Sequence, residues 1–411
     1  MGKQRGRRVS RIDQPKFAIV IDISSEDQTL KSKISRRNFL LGSSAVVAAG
    51  AIQGVPGSPF SPPLNFMKSA LGQSSIAKPD SVIRMSGNEN PWGPSRAALR
   101  AINGAIDEAN LYTFFLHDEM AELIASQQNI GPEHVSVGSG SGEILKMGGM
   151  LASMDQGSIV IPDPTFEDLP RYAAANGSEV IRVPVNGNME TDLEAMASAI
   201  RPDTKLVYIC NPNNPIPNII EKNALRDFVL EISRDRMVFI DEAYYEFVDN
   251  PDYSTMMDLV RDGHRNIIIA RTASKIHGLA GLRIGFGFSH PDTAAEINRR
   301  MTGTLNIVGL RAAFASYRDV EHSNFVLRTN REALDITQGY LRAAGIRHID
   351  SNGNFTFIET GHDIDEVQAR FLEHNIRVGR PFPPFRNWMR LSMAKPDEMR
   401  YFVQTYKKLY G

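Results

Sequence analysis

Between residues 134 and 289 the apolar positions fall in short continuous runs bounded by Gly, Pro, Asn and Asp. The runs HVSVGSG, GSIVIPD, EVIRVPV, KLVYICNPNNP, RMVFIDEAYY and NIIIARTASK have the length and β-branched content of buried strands. Between several of them lie amphipathic stretches of helical period, such as TDLEAMASAIR and ALRDFVLEISR. Strands alternating with helices predict an α/β fold with a mostly parallel sheet covered on both faces. Beyond about Ser289 the pattern changes to long helical stretches, followed by RHIDSNGNFTFIET, IRVGRPF and MRLSMA as strands. That change predicts a second, smaller α+β domain. No internal repeat is visible.

The first eighty residues follow another pattern. A polar, basic start leads to SRRNFLLGSSAVVAAGAIQGV, where Arg36 and Arg37 precede an uncharged run from Phe39 to Val55 rich in Gly, Ala and Ser. This run is barely long enough to span a bilayer. A charged lead, a mild apolar stretch and a small-residue tail predict an export signal, and the paired arginines with Phe39 and Leu40 resemble a twin-arginine signal. A disordered basic tail or a simple anchor is the alternative. A Pro-, Ser- and Gly-rich linker follows, from Gly54 to Lys78. The expected organisation is a signal and linker over 1–79, an N-terminal arm of the smaller domain over 80–111, a large domain over 112–295 and a small domain over 296–411.

Composition narrows the partners. A chain of 411 residues with 42% hydrophobic content has ample core, and a formal net charge of −1 lacks the basic excess of a nucleic-acid-binding surface. A single cysteine, Cys210, excludes an intrachain disulfide and any multi-cysteine metal site.

Ligands in open α/β sheets bind beyond the carboxyl ends of the strands, and four such ends carry candidate chemistry here. In GSGSGEIL, Gly138 to Leu145, a strand empties into a Gly/Ser turn that opens a helix. Free backbone N–H groups and the positive helix end then converge on one point, a phosphate cradle or simply a tight turn. CNPNNP supplies Asn211, Asn213 and Asn214 in a turn held by prolines. Asp241 ends an apolar strand and needs either a cationic partner or a helix N-cap role. Lys275 follows NIIIA with Thr272 and Ser274 beside it and Arg283 beyond a Gly-containing turn. A nearby positive charge and partial burial lower an amine's pKa, and the hydroxyls and guanidinium suit a phosphate dianion.

A phosphate turn, an amide, a carboxylate and a lysine, in that order, resemble the fold-type I pyridoxal-phosphate aminotransferases. Among these the likeness is greatest to the histidinol-phosphate aminotransferases. The matching stretches are SGNENPWGPS, NPNNP, DEAYYEF and RTASKIHGLAGLRIG, and the similarity runs from about Arg84 to the C-terminus. The resemblance implies pyridoxal 5′-phosphate held covalently by Lys275, which also moves the substrate proton. It implies that Asp241 pairs with the ring nitrogen, that Asn214 and Tyr244 bond the phenolic oxygen, and that Phe166 stacks on the ring. Ser141, Gly142, Thr272, Ser274 and Arg283 match phosphate ligands. Tyr112 matches a tyrosine that reaches the phosphate of a neighbouring subunit, which implies a homodimer. Arg390, Arg380 and Asn90 match the substrate side, where an amino acid or amine gives its amino group to a 2-oxo acid such as 2-oxoglutarate. Phe382, Phe385 and Trp388 around the arginines can instead form an apolar wall suited to aromatic side chains.

Three features depart from the family pattern. The usual NPNNPTG reads NPNNPIP, with Ile216 and Pro217 in place of Thr and Gly. His277 stands where an aromatic residue often follows the lysine, either as a titrating group at the mouth of the site or as a structural histidine. An exported, periplasmic enzyme, folded and cofactor-loaded before passage through the twin-arginine machinery, is also out of place for histidine biosynthesis. A lyase, decarboxylase or racemase using the same cofactor, and a silent binding protein, are the rival readings. The intact set of Lys275, Asp241 and Arg283 speaks against silence.

Overall fold

The computed structural model describes residues 78–411 except residue 155. The paired arginines and apolar run of the expected export signal lie outside the described residues. No helix among the described residues is long and apolar enough to cross a membrane.

The chain begins with β1 (Ile83–Met85), α1 (Arg96–Ala105) and α2 (Phe114–Gln128). It continues through β2 (Val135–Gly138), α3 (Ser141–Ser153), β3 (Ser158–Asp163), α4 (Asp168–Ala175), β4 (Glu179–Pro184) and α5 (Leu193–Ser198). Then come β5 (Thr204–Cys210), α6 (Lys222–Ile232), β6 (Met237–Asp241), α7 (Met257–Arg261), β7 (Ile267–Thr272), β8 (Gly285–Ser289), α8 (Pro291–Arg300) and α9 (Ile307–Ser316). The last part holds α10 (Val320–Ala343), β9 (His348–Ile349), β10 (Phe355–Glu359), α11 (Ile364–Glu373), β11 (Ile376–Val378), β12 (Trp388–Ser392) and α12 (Pro396–Tyr410).

Seven strands form one sheet in the order β2-β8-β7-β6-β5-β3-β4, with β8 antiparallel to both its neighbours and every other pair parallel. Side chains alternate across this sheet. Val207, Ile209, Val238, Ile240, Ile267 and Ile269 enter one core, whereas Leu206, Tyr208, Cys210, Phe239, Ile268 and Ala270 enter another on the opposite face. Both faces are buried, which is why these strands read as continuous apolar runs rather than alternating ones.

The smaller part has a three-stranded antiparallel sheet, β12-β10-β9, and a parallel pair, β1-β11. Its core draws on Ile83 and Met85 of β1, Leu334 and Leu341 of α10, Phe371 of α11 and Phe402 of α12. The cores divide the chain at other places than the expected boundaries. In the arm expected over 80–111, β1 joins the smaller core, but Ala98 of α1 joins the larger one. Likewise Ile307, Leu310 and Ala313 of α9, beyond the expected boundary at 295, pack in the larger core.

Strand β8 escapes a reading of apolar runs because its sequence, GFGFS, is short and Gly-rich. Its glycines have a steric cause. A Cβ on Gly285 would lie 2.0 Å from the Ser141 backbone nitrogen, so the start of α3 sits directly on β8.

Candidate active site

Beyond the carboxyl end of β2 the chain turns through Ser139 and Gly140 into α3. Gly140 adopts φ +74°, and a Cβ there would meet the Arg283 guanidinium at 2.3 Å. Glu143 reaches back from the first turn to accept from the Ser139 N–H at 2.6 Å, closing the turn. Ser141 and Gly142 thus stand at the N-terminus of a 13-residue helix. Arg283 closes this end of the site, its Nη1 donating to Ala280 O at 2.9 Å and its Nη2 to Ser139 O at 3.3 Å. Thr272, at the end of β7, donates from Oγ1 to Ser274 Oγ at 2.9 Å and accepts the Ser274 N–H at 3.1 Å.

The ends of β5 and β6 supply the opposite end. Cys210 and Asp241 are register partners on adjacent strands, and Asp241 is 2% exposed. Its Oδ1 accepts the Ala243 N–H at 3.1 Å and its Oδ2 accepts the Tyr208 hydroxyl at 3.4 Å. Burial pushes the Asp241 carboxyl up to about 7, against the lowering effect of the Ala243 N–H and of the charge on Lys275. The cation expected for Asp241 is therefore Lys275, acting by its field, while the direct partners are neutral donors.

Lys275 is half-buried, and its Nζ donates to the Asn88 carbonyl at 3.3 Å. Burial lowers its amine to about 8, with the Arg390 charge as the second cause and Asp241 opposing. Tyr244 and Asn214 stand between this lysine and Arg390. The Tyr244 hydroxyl accepts from Asn88 Nδ2 at 3.0 Å and from Asn214 Nδ2 at 3.4 Å, which leaves its own proton free to donate. Ser141, Gly142, Phe166, Asn214, Asp241, Tyr244, Thr272, Ser274, Lys275 and Arg283 all line one cavity of about 240 Å³.

Four expected site residues do not line this cavity. Asn90 uses its amide within the backbone, donating to Ile276 O at 2.8 Å and accepting the Trp92 N–H at 2.9 Å, so it braces the Lys275 loop instead of facing the cavity. Tyr112 is 79% exposed and stacks on Phe114 at 5.4 Å, outside the cavity of its own chain. Arg380 is exposed and lies over the Phe382 ring at 4.2 Å. It lines a second cavity, of about 580 Å³, together with Arg377, Gln368 and Arg390. Arg390 is buried behind Asn214, to whose Oδ1 its Nη1 donates at 2.6 Å, while Nη2 bonds Ser86 O. Burial lowers its guanidinium to about 10, and its Nε has no partner within the protein.

His277 is not at the mouth of the site. It is 5% exposed, with Nδ1 3.0 Å from Ser316 Oγ, Nε2 3.3 Å from Glu246 Oε1 and its ring 3.9 Å from that of Tyr317. Of the apolar wall expected from Phe382, Phe385 and Trp388, Phe382 and Trp388 are buried in a cluster with Ile216 and Phe357, and the half-buried Phe385 packs against it.

Asn88 is the polar residue that a strand-end reading misses. It adopts φ +51°, exchanges bonds with Ser392 through its N–H (2.8 Å) and Oδ1 (2.7 Å), and holds both Tyr244 and Lys275. Its signal was local, an Asn inside a Gly-Asn-Glu-Asn-Pro turn, where side-chain amides tolerate left-handed backbone.

A half-buried amine, a buried acid and an anion cradle thus share one cavity. Residues 80–405 match the family profile of aminotransferase class I and II. The chain belongs to the class I and II aminotransferases. Among curated members of this aminotransferase family, the histidinol-phosphate aminotransferase of Moorella thermoacetica is 33% identical over 331 residues, covering 80% of this chain and 85% of its own. That of Brevibacillus brevis is 34% identical over 301 residues, covering 72% and 81%. A solved structure from Erwinia carotovora atroseptica, presented as a candidate histidinol-phosphate aminotransferase, superposes with TM-score 0.79 at 29% identity, over 81% of this chain and 98% of that one. The Sinorhizobium meliloti enzyme in complex with pyridoxal-5′-phosphate shares the fold, with TM-score 0.73 at 23% identity over 86% and 99% of the two chains. As an aminotransferase of this family the chain uses pyridoxal 5′-phosphate. The donor set fits that group: amide and guanidinium donors at the Gly140 cradle, a buried acid, and an amine of lowered pKa, all lining one cavity.

Proposed function

We propose that this aminotransferase moves an amino group from an amino acid or amine, of histidinol-phosphate or aromatic type, to a 2-oxo acid such as 2-oxoglutarate, with Lys275 as its central group. The observation that carries this reading is that the half-buried Lys275 and the buried Asp241 share one cavity with the anion donors at the start of α3. When bound, pyridoxal phosphate supplies an electron sink for negative charge developing at the substrate Cα. Ser141, Gly142, Thr272, Ser274 and Arg283 would hold its phosphate, Phe166 its ring face, Asp241 its ring nitrogen, and Asn214 with Tyr244 its phenolic oxygen. Lys275 Nζ would anchor it and then take and return the proton at Cα, a task suited to an amine near neutrality. Arg390 would grip the carboxylate of the 2-oxo acid with its free Nε–H and guanidinium face.

A second copy of the chain would cover the exposed Ile106, Leu111, Tyr112, Phe114 and Phe115, large apolar side chains spread from the end of α1 to the first turn of α2. That homodimer would offer Tyr112 to the partner's cofactor phosphate. Arg36, Arg37 and the following mild apolar run support export to the periplasm by the twin-arginine route. Half-reactions test the chemistry. Holoenzyme mixed with single amino donors converts its bound cofactor to the pyridoxamine form if the reading holds. An unchanged spectrum with every donor, or loss of carbon dioxide in place of amino transfer, would contradict it.

A further inference from the structure

Ile216 and Pro217 follow directly on the turn that carries Asn214, and both face the smaller part of the fold. Ile216 is fully buried in a cluster with Met189, Phe357, Phe382 and Trp388. Phe357 and Trp388 belong to β10 and β12 and stack at 5.1 Å. Pro217 offers its carbonyl to both the backbone N–H (3.0 Å) and the side-chain amide (3.1 Å) of Asn352, which precedes β10. On the other flank Asn218 Nδ2 donates to Met189 O at 2.6 Å. The segment is therefore held from three directions.

The strands it meets are those that carry Arg390. In the β10–β12 ladder Phe357 is the register partner of Arg390, so their side chains leave the same face of the sheet, and Trp388 is on that face two residues away. Phe382 fills the space between, its ring 4.9 Å from the Arg390 guanidinium carbon. Arg390 then reaches across to Asn214 Oδ1, at the head of the same turn.

We propose that Ile216 is a positioning residue for the substrate carboxylate: by packing on Phe357, Phe382 and Trp388 it holds the Asn214 turn against β12, and so sets Arg390 in its acid-gripping pose before any substrate arrives. This rests on the reading of Arg390 as the carboxylate ligand. A preformed grip needs little rearrangement on binding, so affinity for a plain carboxylate is higher than a loosely hinged arginine would give. Removing the Ile216 side chain opens a cavity under Phe382 and lets the arginine and the turn drift apart.

The test uses holoenzyme and 3-phenylpropionate, a carboxylate without an amino group, titrated by its effect on the visible band of the bound cofactor. Ile216→Ala is expected to weaken its binding about tenfold, the scale of coupling between packed neighbours, with cofactor retention unchanged. Ile216→Leu restores it, and the apparent KM for the amino donor follows while kcat holds. Asn352→Ala, which removes one of the two bonds to Pro217 and leaves the core intact, moves affinity in the same direction by less, and serves if Ile216→Ala does not fold. In an Arg390→Ala background Ile216→Ala has no further effect. Unchanged carboxylate affinity in Ile216→Ala or Asn352→Ala, or an equal loss with and without Arg390, overturns the inference. Unchanged affinity in Arg390→Ala itself removes the reading of that arginine, and the inference with it.

Discussion

At the residue scale the site depends on two groups held near neutrality. Asp241 is raised to about 7 and Lys275 lowered to about 8, both chiefly by burial. The sign for stability follows from linkage. A carboxyl raised by folding binds more protons in the folded state, so it favours folding below its unfolded value and loses that contribution as pH rises through about 7. Cofactor-free wild type is thus expected to lose stability, relative to Asp241→Asn, as pH climbs from 5 to 7. Thermal melts of both across that range check it, and parallel curves would contradict it. Lys275→Ala is expected to lower turnover by roughly 10²–10⁴-fold or more, since it removes both anchor and proton carrier. Near-normal turnover would count against the assignment. Lys275, Asp241, Asn214 and Arg283 were legible in the sequence because each follows an apolar run or a Gly/Pro turn. Asn90 and Arg380 match the substrate side of the family by motif alone. Spacing does not reveal whether an amide faces a cavity or its own backbone.

At the scale of elements, the ends of β6 and β7 are tied behind the site by a buried ion pair. Arg271 bonds the Glu242 carboxylate through Nε (2.9 Å) and Nη2 (2.8 Å), while Thr255 and Gln128 take further guanidinium protons and the Tyr245 ring lies 3.8 Å away. Glu242→Ala leaves that guanidinium buried without its counter-charge, and is expected to cost about 3–5 kcal/mol in urea unfolding. A loss below about 1 kcal/mol, the range of surface pairs, would show the pair to be dispensable. Gly285→Ala pushes α3 off β8, because no Cβ fits 2.0 Å from Ser141 N. It is expected to weaken cofactor binding more than it lowers the melting temperature of the cofactor-free protein, with equilibrium dialysis as the check. The parallel strands were readable as Val- and Ile-rich runs. Strand β8 was not, since its glycines answer to a helix packed above them and not to strand propensity.

At the scale of the whole molecule, an α/β sheet with a smaller α+β part was visible in the change of pattern after Ser289. The placement of α1 and α9 in the larger core was not, because an amphipathic helix does not declare which of two apolar surfaces it covers. The apolar stretch from Leu111 to Phe115 belongs to the proposed subunit interface, so Phe115→Asp is expected to shift sedimentation from dimer to monomer. A wild-type protein already monomeric at micromolar concentration would remove that interface. Changing Arg36 and Arg37 to Lys is expected to retain the protein in the cytoplasm, and fractionation placing the unaltered protein there would remove the export reading. The most direct test of the central claim is a single half-reaction of the holoenzyme with an amino donor and no acceptor, following the cofactor spectrum and the carbonyl product together. Conversion to the pyridoxamine form with an equal amount of carbonyl product is expected, and no conversion in Lys275→Ala. Release of product without that conversion, or conversion in Lys275→Ala at the wild-type rate, would contradict it.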